Sequence, residues 1–76
     1  MKNLVVKIKS YQEDNTYLTL NIPNWLDNTQ IMEFSRAAKT LVDKMVGKIP
    51  GHPNLIRFES EGKVFTQYQM EMILND

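Results

Sequence analysis

Apolar and polar residues alternate over Leu4-Val5-Val6-Lys7-Ile8-Lys9-Ser10-Tyr11, placing Leu4, Val6 and Ile8 on one face of a strand and Val5, Lys7, Lys9 and Tyr11 on the other. Gln12-Glu13-Asp14-Asn15 breaks the pattern with turn formers, of which Asp14 and Asn15 tolerate left-handed backbone. Alternation resumes over Thr16-Tyr17-Leu18-Thr19-Leu20-Asn21-Ile22, with Leu18, Leu20 and Ile22 on the inner face. Two alternating segments around a short polar turn predict a β-hairpin. Pro23 has no amide hydrogen and ends the second strand.

The period then becomes helical. Asp27 with Gln30 three residues on fits a capping box, and Leu26 just before it is placed to form a hydrophobic staple with Ile31. Apolar residues recur at Ile31, Phe34, Ala38, Leu41 and Met45, with Ala37 and Val42 widening the stripe, while Glu33, Arg36, Lys39, Thr40, Asp43 and Lys44 take the far side. Lys44 and Lys48 lie near the end, Gly47 suits a left-handed cap, and Pro50 forbids continuation, so the pattern predicts a helix over residues 28–46.

After the turn-rich Ile49-Pro50-Gly51-His52-Pro53, Leu55-Ile56-Arg57-Phe58-Glu59 reads as a strand and Ser60-Glu61-Gly62-Lys63 as a tight turn with Gly62 at positive φ. From Val64 the even positions Val64, Tyr68, Met70, Met72 and Leu74 are apolar and Gln67, Gln69 and Glu71 are polar. This alternation predicts a long last strand to Leu74, in competition with a helix capped by Thr66 and Gln69. The expected core is Leu4, Val6, Ile8, Leu18, Leu20, Ile22, Ile31, Phe34, Leu41, Val42, Met45, Ile56, Phe58, Tyr68, Met70 and Met72.

The order ββαββ predicts an α+β domain of two layers over residues 1–76, one helix packed on a four-stranded, mostly antiparallel sheet. A helix crossing between the two hairpins would set the first and last strands side by side and parallel. That order resembles the β-grasp layout of ubiquitin-like domains, in which a proline-containing loop also follows the helix. The resemblance is one of layout, and the chain's last residues, Asn75-Asp76, are not the diglycine that conjugation uses.

Composition narrows the candidate chemistry. Lys plus Arg number 9 and Asp plus Glu number 9, so the net charge is zero and argues against bulk electrostatic attachment to nucleic acid or anionic membrane. The absence of cysteine leaves no disulfide framework and no thiolate metal site. Apolar runs reach three residues, far short of the ~20 of a membrane span, and the first residues lack a signal-peptide pattern, which points to the cytoplasm. Asn and Lys (7 each) and Ile (6) outnumber Arg and Ala (2 each), the residue usage of AT-rich coding in low-GC bacteria and their phages.

The single histidine, His52, stands in a loop with Lys48 and Asn54 nearest, neither of which can orient it as a base. Glu59 and Glu61 at a turn mouth read as solvated charges, and the isolated Gly47, Gly51 and Gly62 build no phosphate cradle. No catalytic, cofactor or metal site is therefore expected, nor an enzyme. The sheet face away from the helix is the expected contact surface, with Tyr11, Tyr17, Arg57, Phe65 and Gln67 on it and Trp25 beside the helix start as a core lid or anchor. These expectations define a small protein-interaction module, an inhibitor or adaptor of a larger bacterial or phage assembly. The alternatives are a single-stranded nucleic-acid binder using aromatic and basic residues of that face, and the structural subunit of a homodimer.

Overall fold

The computed structural model of the chain describes residues 3–47 and 49–75; Met1, Lys2, Lys48 and Asp76, and with them the expected role of Lys48, lie outside the described residues. The elements are β1 (Val5–Lys9), β2 (Thr16–Asn21), α1 (Asn28–Val46), β3 (Leu55–Ser60), β4 (Lys63–Thr66) and α2 (Gln67–Leu74). The strands form one sheet in the order β2-β1-β3-β4, antiparallel throughout. This is the expected two-layer α+β class, with a second, short helix added. β1 lies beside β3, and among the described residues no parallel pair closes the sheet in the manner of a β-grasp.

Local chemistry accounts for the boundaries. In α1 the Asp27 carboxylate accepts from the Gln30 amide at 2.8 Å while the Gln30 side chain accepts from the Asp27 amide at 3.0 Å, so the expected capping box forms. At the other end Gly47 takes φ 82° and its amide donates to the Asp43 carbonyl at 2.9 Å. Between β3 and β4, Glu61 and Gly62 both have positive φ, as a two-residue hairpin turn of the primed type requires.

The last segment departs from the period-two expectation. The strand stops at Thr66, whose hydroxyl accepts from the Gln69 amide at 3.1 Å while the Gln69 side chain accepts from the Thr66 amide at 2.8 Å. This second capping box starts α2, which buries Met70 and Leu74 at the i, i+4 spacing of one helical face. Tyr68 and Met72, expected inside, are exposed. The faces of β4 differ too. The Ser60–Lys63 pairing puts Phe65 opposite Phe58 on the core side and Val64 opposite Glu59 on the outer face, the reverse of the expected assignment.

The core is Val6 and Ile8 of β1, Ile56 and Phe58 of β3, Ile31, Met32, Ala38 and Val42 of α1, and Met70 and Leu74 of α2, closed by Leu4 and Ile22. Phe34, Leu41 and Met45 are exposed, because α1 is rolled so that Ser35 and Asp43 face inward. Ser35 satisfies its hydroxyl on the Ile31 carbonyl at 2.7 Å. Asp43 accepts from the buried Asn54 amide group at 2.8 Å and from Lys39 at 2.9 Å. Substituting Thr66 and Gln69 together by Ala is expected to cost about 1 kcal/mol and to speed amide exchange over residues 67–74 only. Met70→Ala is expected to cost ~2–5 kcal/mol by urea denaturation.

Candidate interaction surface

The inner face of the sheet is unevenly covered. α1 lies over β1 and β3, and α2 over β3 and β4. In consequence Val6 and Ile8 are fully buried, while their β2 partners Leu20 and Leu18 are only partly so. The flank of α1 on this side presents Phe34, Ala37, Leu41 and Met45, three or four residues apart along the helix. Phe34 is 45% exposed, Leu41 55% and Met45 76%.

Two adjoining hollows run along the groove between this flank and β2. One, of about 250 Å³, is lined by Leu18, Leu20, Phe34, Ala37, Ala38 and Leu41. The other, of about 150 Å³, is lined by Tyr17, Leu18, Leu41, Val42, Met45 and Val46. They share Leu18 and Leu41, and among the described residues no charged side chain lines either.

The six residues expected to bind a partner do not come together. Tyr17 is the extra residue of a bulge, since Ile8 pairs with Leu18 and Lys9 with Thr16. It lines the groove beside the C-terminal half of α1 instead of the open sheet face. Tyr11 stacks on His52 with ring centroids 4.5 Å apart. Phe65 packs against the core, Gln67 opens α2 and donates to Glu71 at 3.2 Å, and Trp25 stands 78% exposed in the turn before α1, so it does not close the core. Arg57, with a side chain 11% exposed, is ion-paired with Glu13.

The outer sheet face therefore carries Val5, Lys7, Thr19, Arg57, Glu59, Val64 and Thr66 in register, with Lys7 bridging to Glu59 at 2.9 Å. The aromatic platform on which a single strand of nucleic acid would stack is not assembled there. Sequence reading placed Phe34, Leu41 and Met45 in the core. The signal that they flank it was the width of the apolar arc on α1, which spans more of the helix than one sheet contact can bury.

A larger cleft of about 490 Å³ opens beyond the end of β4, with Glu13, Arg57, Lys39, Gln67 and Glu71 among its lining residues. Its charges are engaged with one another or with neighbours: Arg57 with Glu13, Lys39 with Asp43, and Glu71 with Arg36 at 2.8 Å. Among the described residues no group of three or more His, Asp and Glu side chains gathers as a metal site requires. No helix among them is long and apolar enough to cross a membrane.

No family model matches the chain, and neither the curated proteins nor the solved structures yield a match, so the surface is read from its own chemistry.

The Arg36–Glu71 pair joins α1 to α2 and has a measurable consequence. Hydrogen bonds first from Arg36 and then from Gln67 hold the Glu71 carboxyl below its ordinary 4.5. A carboxyl depressed in the folded state stabilises the fold above its unfolded pKa, and that contribution is lost as pH falls through the folded value. Arg36→Ala is expected to move the Glu71 midpoint upward in a carboxyl NMR titration, with a small effect on stability because the pair is exposed.

Proposed function

We propose that this chain is a protein-interaction module that acts by stoichiometric association rather than catalysis, in the manner of an inhibitor or adaptor. The observation that carries the reading is the uncharged groove between β2 and α1, walled by Phe34, Leu41 and Met45 and floored by Leu18 and Leu20. Scattered apolar residues on a surface need no explanation, but a contiguous strip that excludes charge is the composition of an interface centre. Aromatic residues and Met, supplied here by Tyr17, Phe34 and Met45, are enriched at such centres. The strip adjoins β2, an edge strand of the sheet with a backbone edge open to a further strand. Apolar anchoring and main-chain pairing thus lie side by side on one surface.

The test compares two variant pairs against the partner recovered with the tagged protein. Phe34→Ser with Leu41→Ser is expected to cost about 2 kcal/mol or more in affinity, roughly thirtyfold, while the circular dichroism spectrum of the folded chain is unchanged. Lys7→Glu with Lys9→Glu, on the outer face, is expected to leave affinity within a few-fold. Undiminished binding by the groove variant would move the interface elsewhere.

A further inference from the structure

We propose that the occupant of this groove is a second copy of the chain, joined through antiparallel pairing of β2 with its symmetry mate about a two-fold axis. The proposal rests on the reading of the groove as an interaction surface and adds the identity of the partner.

Charge is the first argument. From Asn15 to Leu26 the sequence has no Asp, Glu, Lys, Arg or His. In a two-fold antiparallel contact residue i of one strand faces residue j of its mate and j faces i, so a strand without charges pairs with its own copy with no like charges opposed. Such a strand offers a charged partner no complementary group, whereas its own copy presents the same uncharged edge. The other edge, β4, is four residues long and begins with Lys63, as protected edges do. The net charge of zero removes long-range repulsion between copies.

Area is the second argument. Tyr17, Phe34, Leu41, Met45 and Val46 are 41–76% exposed. They offer on the order of 600 Å² per copy, against roughly 800 Å² per partner in a standard interface. The exposed edge of β2 adds to this area.

In the resulting arrangement two four-stranded sheets join into one, and both α1 helices stand on the same side. Each turns its Phe34–Met45 flank toward the other over a shared floor of Leu18 and Leu20. The bulge at Tyr17 confines regular pairing to the stretch from Leu18 to Asn21.

The experiment is sedimentation equilibrium of the full chain from low micromolar to near-millimolar concentration. The wild type is expected to dimerise reversibly. Leu41→Glu, in the groove, and Thr19→Lys, at the middle of β2 on the outer face, are each expected to raise the dissociation constant tenfold or more with unchanged circular dichroism. Both sites are exposed, so neither change disturbs the core. In the cysteine-free chain, Thr19→Cys is expected to give disulfide-linked dimers on oxidation, whereas Glu61→Cys, at the far hairpin, is not.

A wild type that stays monomeric overturns the proposal, as does a dimer that neither charge variant weakens. A dimer weakened by Leu41→Glu but not by Thr19→Lys rules out the β2 pairing and overturns it too. Should the wild type be monomeric while Phe34→Ser with Leu41→Ser still abolishes capture of another protein, the groove stands as an interface and its occupant is not a second copy. If that capture is also unaffected, the reading of the groove fails as well.

Discussion

An α-helix with its side chains is about 10–12 Å across, and neighbouring strands stand about 4.8 Å apart. One helix therefore covers two strands of a sheet and not four. Here α1 spends that width on β1 and β3, and the two turns of α2 supply cover for β3 and β4. β2 is the strand left over. The partial exposure of Leu18 and Leu20, the hollows beside them and the bare flank of α1 all follow from that allocation.

The position and roll of α1 are set at its C-terminal end. Asn54, buried just before β3, donates to the Asp43 carboxylate at 2.8 Å and to the Gly47 carbonyl at 3.3 Å. The buried Asp43 also receives Lys39. A carboxylate taken from water must keep its hydrogen bonds, so this cluster holds Asp43 inward. On a helix, turning position 43 inward carries position 41, some 200° away, outward. The polar tie between α1 and the start of β3 thus determines which apolar residues of the helix enter the core and which face the groove.

This division was only partly legible in the sequence. The first hairpin, the extent of α1 and its Asp27–Gln30 box are encoded by neighbours in the chain, and the structure forms them as read. Three features turned on single residues. Residues 67–74 fit period two by count, yet the Thr66–Gln69 box and the i, i+4 pair Met70 and Leu74 favour a helix, because a cap satisfies backbone donors that alternation cannot. The Glu61–Gly62 turn pairs Ser60 with Lys63, and that register sends Phe65 rather than Val64 to the core side, against the count of even positions. One bulge residue took Tyr17 off the outer face. The groove itself was hidden because Asp43 was assigned to solvent; its burial depends on Asn54, eleven residues on, a pairing that periodicity does not report.

The two edges of the sheet are finished by different means. At β4 the chain leaves the strand after four residues and folds back as α2 over β3 and β4, so the edge is short and its inner face is covered. At β2 the six-residue strand runs on to Ile22 and Pro23, and the next helix passes over β1 and β3 instead of returning above it. Polar residues at positions 34, 41 and 45 would leave the buried set Ile31, Ser35, Ala38 and Val42 in place and would remove most of the exposed apolar surface of α1. Much of the apolar area of that flank is thus left unburied by one copy. Under the proposed association it becomes buried area, in a chain of 76 residues whose size limits how much a lone core can bury.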